Sequence, residues 1–169
     1  MLATAGFQFT VRVAPVEEVP RRGESPIDYV RRLARAKAEA AWIDADEIVL
    51  GADTVVVVDD RILEKPADAN DARAMLTLLS GRDHAVITGI CLRHADGAIV
   101  DHSTTTVRFA RFTDTELDDY VASGEPMDKA GAYGIQGLAS KFVERIDGCY
   151  FNVMGLPLSL VYRHWKSLQ

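Results

Sequence analysis

The first residue whose type and position could do chemistry is Asp53. It interrupts a β-branched run from Ile48 to Asp59 (IVLGADTVVVVD). A carboxylate among apolar strand residues loses solvation unless a metal, a cation or a hydrogen bond compensates, and such positions are common at active sites. The alternative is an exposed aspartate at a strand bulge beside Gly51. The position therefore predicts a candidate catalytic group whose partners must come from elsewhere in the chain.

Three lysines could supply those partners. They are Lys37, Lys65 in the segment Glu64-Lys65-Pro66, and Lys129. Each one alone is typical of a solvated surface residue. If their ammonium groups converge near a buried aspartate, however, the site would accept a polyphosphate and a divalent ion together. The lysines thus indicate a site for a small anionic ligand only if all three lie close together.

A glycine-rich segment, Ala130–Gly137 (AGAYGIQG), could bring backbone close to such a ligand. Its glycines, at positions 131, 134 and 137, recur at three-residue spacing, and glycine lets the backbone approach a ligand and aim its N–H groups. The segment is neither a P-loop nor a GxGxxG motif, and a plain flexible turn is the alternative. Gln136 carries a donor and an acceptor, so it could pair with the imide-like edge of uracil or thymine.

Composition narrows the function classes. The chain has 169 residues, 48% hydrophobic and 26% charged, with no repeat or composition break, and we expect one domain over residues 1–169. Nineteen basic and 25 acidic residues give a net charge of −6, which disfavours nucleic-acid and anionic-membrane partners. No apolar stretch approaches the roughly 20 residues of a membrane span. Two widely spaced cysteines and no secretory signal favour a reduced, cytoplasmic protein.

Periodicity and capping residues predict the elements that must position these side chains. The predicted helices are 25–42, 68–79, 113–121 and 157–168, and the predicted strands are 7–13, 48–59, 84–93, 99–112, 141–146 and 150–153. Strands and helices interleave without a strict βαβ rhythm. We therefore expect an α/β fold with a mixed, twisted sheet and flanking helices.

Six segments together form a recognisable pattern. They are Leu33-Ala34-x-x-Lys37-Ala38, Gly51–Val56 (GADTVV), Glu64–Pro66 (EKP), Leu79–Arg82 (LSGR), Asp128–Gly137 (DKAGAYGIQG) and Asn152–Pro157 (NVMGLP). Their order and spacing resemble the Maf family of nucleoside triphosphate pyrophosphatases, also called septum formation proteins. The resemblance covers nearly the whole chain and implies a Maf/inosine-triphosphatase-like fold. The DKAGAYGIQG segment resembles the dTTP/UTP pyrophosphatase branch rather than the branch that prefers a methylated guanine nucleotide.

The resemblance implies hydrolysis of a nucleoside triphosphate to its monophosphate and pyrophosphate with a divalent cation, Mg²⁺ or Mn²⁺. It assigns Asp53 as the proton acceptor that activates water or helps to hold the metal. It further implies these roles: base preference for Thr54 and Gln136, substrate contact for Gly131, phosphate neutralisation for Lys37, Lys65 and Lys129, and assistance to the metal by Glu18 and Asp128. Lysines and a metal supply the charge stabilisation on which phosphoryl transfer depends.

The beginning of the sequence departs from the family pattern. Members of the family begin with a strand and a Ser-x-Ser-Pro-Arg-Arg loop, whereas Met1–Gly6 resembles the end of the helix that follows that loop. We therefore expect that this sequence lacks the N-terminal strand and phosphate loop, for which Arg21-Arg22 is no substitute. The alternative function is then that of a nucleotide-binding or regulatory protein with little turnover. A third function, as a structural partner in cell division, is suggested by the family name alone. A homodimer is the commonest state for such chains.

Overall fold

A five-stranded sheet forms the centre of the computed structural model, which describes residues 1–169. The strands are β1 (Val49–Val58), β2 (Arg61–Leu63), β3 (Asp83–His94), β4 (Gly97–Phe109) and β5 (Val143–Asp147), in the order β2-β1-β3-β4-β5. The helices are α1 (Pro26–Ala41), α2 (Ala69–Leu79), α3 (Asp114–Ala122), α4 (Tyr150–Val153) and α5 (Leu158–Lys166). The predicted α/β class with flanking helices is confirmed. The sheet is antiparallel throughout rather than mixed, because two tight hairpins join β1 to β2 and β3 to β4.

Helix α1 packs unusually close to the sheet. Ser25 caps it by accepting a hydrogen bond from the Asp28 N–H at 3.1 Å, and Pro26 occupies its first turn. Gly51 on β1 and Gly89 on β3 lie directly beneath the helix, and a Cβ at Gly89 would overlap the carbonyl oxygen of Val30. The absence of these two side chains lets α1 approach β1, which places Lys37 within reach of the strand.

The side chains of β1 alternate between the two faces of the sheet. Val55 packs with Tyr29 and Leu33 beneath α1, whereas Val56 belongs to the main core on the opposite face, which contains residues of α2, α3 and the glycine-rich segment. The period of two that every strand follows therefore directs Asp53 to the α1 face and Thr54 to the opposite face. Asp53 and Thr54, although adjacent in sequence, therefore lie on opposite faces of the sheet.

Two of the predicted strands are wrong. Residues 7–13 are irregular, and Val11 and Val13 are 82% and 90% exposed, because their apolar alternation finds no partner strand on which to pair. Residues 150–153 form the short helix α4 with Asn152 fully buried. A four-residue apolar run does not distinguish a strand from a buried helical turn by its periodicity.

One edge of β1 is open. Strand β2 pairs only with Val56–Val58, while β3 pairs with residues 49–57 on the other side. The edge from Val49 to Val55 therefore has no strand partner. A groove of about 520 Å³ runs beside residues 48–52 and reaches Lys37. None of the helices combines the length and apolarity that crossing a bilayer requires.

Candidate active site

Asp53 and Lys37 form the centre of a charged cluster on the α1 face. The Nζ atom of Lys37 donates to Oδ1 of Asp53 at 2.7 Å and lies 2.6 Å from Oε1 of Glu18. The Asp53 side chain is only 9% exposed, whereas those of Lys37 and Glu18 are 27% and 48% exposed. One ammonium group thus holds two carboxylates at a place that solvent reaches. The alternative of an unpaired, exposed aspartate at a bulge does not apply, since β1 and β3 pair in unbroken register here.

Opposing effects act on the proton affinity of this pair. Burial raises the pKa of Asp53 above its ordinary value, and the ammonium group of Lys37 only partly opposes this. Burial also acts to lower the pKa of Lys37, but its two carboxylate partners outweigh burial and the net change is upward. Lys37 therefore stays charged while Asp53 is a stronger base than a solvated aspartate, as a group that takes a proton from water requires.

Tyr29 and Glu64 adjoin this cluster and were not predicted from the sequence. The hydroxyl of Tyr29 donates to Oε1 of Glu64 at 2.5 Å and lies 3.1 Å from the carbonyl oxygen of Glu18. Burial, and then the bond to Glu64, raises the pKa of Tyr29, and the negative charge of Glu64 contributes to raising the pKa of Asp53. The only sequence signal for Glu64 is its position immediately before Lys65.

A cavity of about 290 Å³ lies on the opposite face of the sheet. Thr54, Asp128, Lys129 and Gln136 all line it, so the structure brings these four predicted residues together. Apolar walls come from Val56, Val86, Tyr133, Ile135, Val153 and Met154. A mostly apolar pocket with a few polar groups is the usual form of a small-molecule site, and this volume is near the lower end of the usual range.

The glycine-rich segment is held in shape by Glu125 rather than being a flexible turn. Its carboxylate accepts from the Tyr120 hydroxyl at 2.9 Å and from the backbone N–H of Leu138 at 2.9 Å. The Tyr120 hydroxyl in turn accepts from the N–H of Gly134 at 3.2 Å. Gly137 lies so close to Glu125 that any Cβ there would overlap the carboxylate. These bonds fix the wall of the cavity that carries Gln136.

Gly131 does not line the cavity. It has φ of 70°, and a Cβ there would lie 2.6 Å from Cγ2 of Val56. Its N–H donates to the carbonyl oxygen of Glu64 at 3.0 Å. Because that N–H already has a partner, Gly131 is placed to join the glycine-rich segment to the end of β2 rather than to donate to a ligand. Only glycine fits this left-handed, close-packed position.

The three lysines do not converge on Asp53: only Lys37 contacts it. Lys129 and Asp128 line the cavity, and Lys65 is within electrostatic reach of Asp128. Asp128 bonds Lys129 at 2.6 Å, and this bond, followed by smaller contributions that include the charge of Lys65, lowers the pKa of Asp128. Lys65 is the second residue after β2 and is exposed. Its neighbour Glu64 is within electrostatic reach of Asp53. The segment Glu64-Lys65 is therefore within electrostatic reach of both the charged cluster and the cavity.

The three carboxylates expected to bind a metal are not gathered into one ligand set. Glu18 and Asp53 share Lys37, but Asp128 bonds Lys129 at the cavity. No group of three or more His, Cys, Asp or Glu side chains is arranged to hold a metal ion. Mg²⁺ bound with a nucleotide commonly keeps several waters and takes only one or two protein carboxylates. Glu18 and Asp53 fit that type of site, whereas Asp128 does not belong to it.

Buried polar residues support the cavity from behind. The ring of His84 lies 2.9 Å through Nε2 from the Tyr133 hydroxyl, and His84 is 3% exposed. Thr88 and Asn152, both 0% exposed, lie behind Thr54. The Asn152 side-chain amide donates to the Val86 carbonyl oxygen at 2.9 Å and to Oγ1 of Thr105 at 3.0 Å. Asn152 was noted only as part of the NVMGLP motif, and no local pattern marks Thr88.

Comparison with known proteins identifies the relatives of this fold. Residues 1–168 match the family described as Maf-like protein. A dTTP/UTP pyrophosphatase of Koribacter versatilis is 51% identical over 164 residues, which cover 96% of this chain and 85% of the relative. Proteins of the same name from Syntrophomonas wolfei and Bacillus cereus are 48% and 47% identical, covering 96% and 99% of this chain and 87% and 88% of the relatives. The similarity thus includes both the charged cluster and the cavity.

Proposed function

This chain belongs to the Maf family, and from that membership we propose that it hydrolyses dTTP and UTP to the nucleoside monophosphate and pyrophosphate. One observation carries the proposal. A buried aspartate of raised pKa, paired with a lysine, is the strand neighbour of Thr54, whose side chain lines a cavity with Gln136 and Lys129. Relatives about half identical to this chain bear the name of that activity.

The cavity on the Thr54 face would hold the pyrimidine base. Its apolar walls suit a planar ring, and the Gln136 amide offers a donor and an acceptor to the polar edge of uracil or thymine. Lys129 stands at the same cavity and carries a positive charge partly balanced by Asp128. The base would therefore be recognised by shape and by a few hydrogen bonds.

The triphosphate would pass from this cavity around the open edge of β1. Lys65 would contact it there, since its charge acts on Asp128 and its sequence neighbour Glu64 acts on Asp53. Exposed lysine ammonium groups bind phosphate oxygens as point charges. Because β2 ends at Leu63, no strand blocks the edge beside Asp53 and Thr54. A nucleotide laid across this edge can contact both faces of the sheet.

Asp53 would take the proton of the attacking water. The water oxygen bonds to phosphorus, the α–β phosphoanhydride bond breaks, pyrophosphate leaves, and the proton goes to the Asp53 carboxylate. Lys37 fixes the orientation of that carboxylate through Oδ1. The raised pKa of Asp53 makes it a stronger general base, and general acid–base catalysis contributes about 10²–10⁴-fold in typical enzymes. Tyr29 and Glu64 position the surrounding acidic groups.

We also propose that a divalent cation, Mg²⁺ or Mn²⁺, enters with the nucleotide. Glu18 would hold it, since hard carboxylate oxygens are the ligands these ions prefer. Asp53 would join Glu18 only as an alternative to its role as general base, because a carboxylate bound to a divalent cation loses its raised proton affinity. When bound, the ion would neutralise charge that develops on the phosphate oxygens. This dependence is tested by assaying pyrophosphate release with Mg²⁺, with Mn²⁺ and after chelation.

The decisive experiment compares Asp53→Asn with a matched control. Asp60→Asn makes the same chemical change at an exposed turn carboxylate with φ of 59°, which asparagine tolerates. We expect Asp53→Asn to lower kcat for UTP at least about a hundredfold and Asp60→Asn to leave it unchanged. Equal rates in both variants would reject the role of Asp53. Nucleotide binding by calorimetry without pyrophosphate release in the unaltered protein would instead favour a regulatory nucleotide binder.

We also propose a compartment and an oligomeric state. Both cysteines are free thiols, which agrees with a reducing compartment, and we place the protein in the cytoplasm. A homodimer stays a prediction from the frequency of such assemblies, and sedimentation velocity would test it.

A further inference from the structure

The hydroxyl of Thr54 is tied to a second, fully buried hydroxyl. Oγ1 of Thr54 lies 2.9 Å from Oγ1 of Thr88, which is 0% exposed. Thr88 also donates to the backbone carbonyl oxygen of Asn152 at 3.1 Å. A weaker contact of 3.5 Å joins the Thr54 hydroxyl to the carbonyl oxygen of Gly155. Of these groups, Thr54 and Gly155 border the cavity, whereas Thr88 and Asn152 lie behind it.

The distances favour one direction for this chain. Each hydroxyl has one proton, a carbonyl oxygen only accepts, and either threonine could donate to the other. If Thr88 donates to the Asn152 carbonyl and Thr54 donates to Thr88, the two contacts are 3.1 and 2.9 Å. In the opposite direction the Thr54 proton has only the Gly155 carbonyl at 3.5 Å, which is at the limit of hydrogen-bond distance. In the favoured direction Thr54 presents only lone pairs to a ligand in the cavity, and this depends on Thr88.

We infer that Thr88 is a positioning residue that makes Thr54 a hydrogen-bond acceptor toward the cavity and thereby selects bases with a ring N–H donor. The inference rests on the proposed function and extends it. Uracil and thymine carry an N3–H donor at the edge that Gln136 could also contact, whereas N3 of cytosine is an acceptor. Cytosine would place two acceptors against each other, which leaves buried polar groups without a partner and disfavours binding.

Asn152 keeps this arrangement rigid. Its amide donates to the Val86 carbonyl on β3 and to Thr105 on β4, which fixes α4 on the sheet. Its backbone carbonyl also accepts from the N–H of Gly155 at 2.9 Å. Loss of the Thr88 hydroxyl alone would therefore leave that carbonyl with a partner and the surrounding fold intact. A change of base selectivity on loss of the Thr88 hydroxyl can therefore be measured without unfolding the protein.

The test compares Thr88→Val, which removes the hydroxyl at nearly constant shape, with Thr88→Ser, which retains it. The measured quantity is the ratio of kcat/KM for UTP to kcat/KM for CTP, with pyrophosphate release as the assay. We expect Thr88→Val to lower this ratio at least tenfold, mainly through KM, and Thr88→Ser to restore it. An unchanged ratio in Thr88→Val would overturn the inference.

A ligand-side experiment keeps the inference testable if Thr88→Val does not fold. Binding of UMP and N3-methyl-UMP to the unaltered protein is compared by calorimetry. We expect at least tenfold weaker binding of the methylated ligand, and equal binding would overturn the inference. These affinities do not depend on turnover. Preference for UMP over N3-methyl-UMP and CMP without pyrophosphate release would therefore reject the proposed function while supporting selection of bases with a ring N–H donor.

Discussion

Acid should destabilise this protein through one buried histidine. Burial lowers the pKa of His84 from 6.5 to about 4, so the native state keeps the ring neutral over a range in which the unfolded chain protonates it. The stabilisation is present above pH 6.5 and is lost as pH falls through this range, because only the unfolded state gains the proton. From these two pKa values, the loss is about 2 kcal/mol between pH 7 and pH 5 and about 3 kcal/mol in all.

The assay is urea denaturation followed by circular dichroism at pH 7 and pH 5, a window in which carboxylates of ordinary pKa stay ionised in both states. His84→Gln removes the titration while keeping a group that can bond the Tyr133 hydroxyl. The free energy of unfolding of the variant should fall by about 2 kcal/mol less than that of the unaltered protein over this window. Contributions common to both proteins cancel in the comparison. If both proteins lose equal stability, His84 is not held neutral and the reasoning fails.

Three other predictions concern the elements that position the site. Gly89→Ala should push α1 away from the sheet, because the new Cβ overlaps the Val30 carbonyl. We expect urea titrations to show a free energy of unfolding lower by about 3 kcal/mol. An unchanged free energy of unfolding would show that the close approach of α1 is not required. Burial raises the pKa of Asp53 above its ordinary value of 3.8. The acidic limb of the pH profile of kcat/KM should therefore have its midpoint above pH 3.8. A midpoint at or below pH 3.8 would contradict the role of Asp53 as general base. Glu125→Ala should remove the bond to the Leu138 N–H and loosen the cavity wall, which faster amide hydrogen exchange of Leu138 would reveal.

Local signals in the sequence located much of the fold. Ser25, Asp68 and Thr113 each cap a helix that begins at the next residue, as their short polar side chains predict. The partner of Asp53 could be anticipated because a carboxylate in an apolar strand requires one. Lys37 fulfils that requirement at 2.7 Å. These inferences succeed because the interactions involved are local or are demanded by burial.

Other features depend on contacts that no local pattern encodes. Residues 7–13 alternate as a strand does, but they form no ladder with any strand, although residues 7–12 line the groove beside the unpaired edge of β1. Thr88 lies in an apolar strand without a distinguishing neighbour, and its role arises from residues 34 and 64 positions away. Gly131 has a glycine-rich context that favours a ligand contact, yet Glu64 takes its N–H. The structure of residues 7–13, the role of Thr88 and the position of Gly131 all depend on tertiary contacts, which the local sequence does not contain.

The alternation of side chains along β1 places the two roles proposed for Asp53 and Thr54 on opposite faces of the sheet. Asp53 and Thr54 are adjacent in sequence and therefore point to opposite faces of the sheet, so a single ligand can touch both only by crossing a strand edge. A longer β2 would pair with Val55 and the residues before it and would close that edge with backbone. Because β2 ends after three residues, the edge stays open, and the chain that follows supplies Glu64 and Lys65 at the crossing. Under the proposed function, the motif GADT would serve base contact on one face of the sheet and proton transfer on the other, across the part of the β1 edge that β2 leaves unpaired.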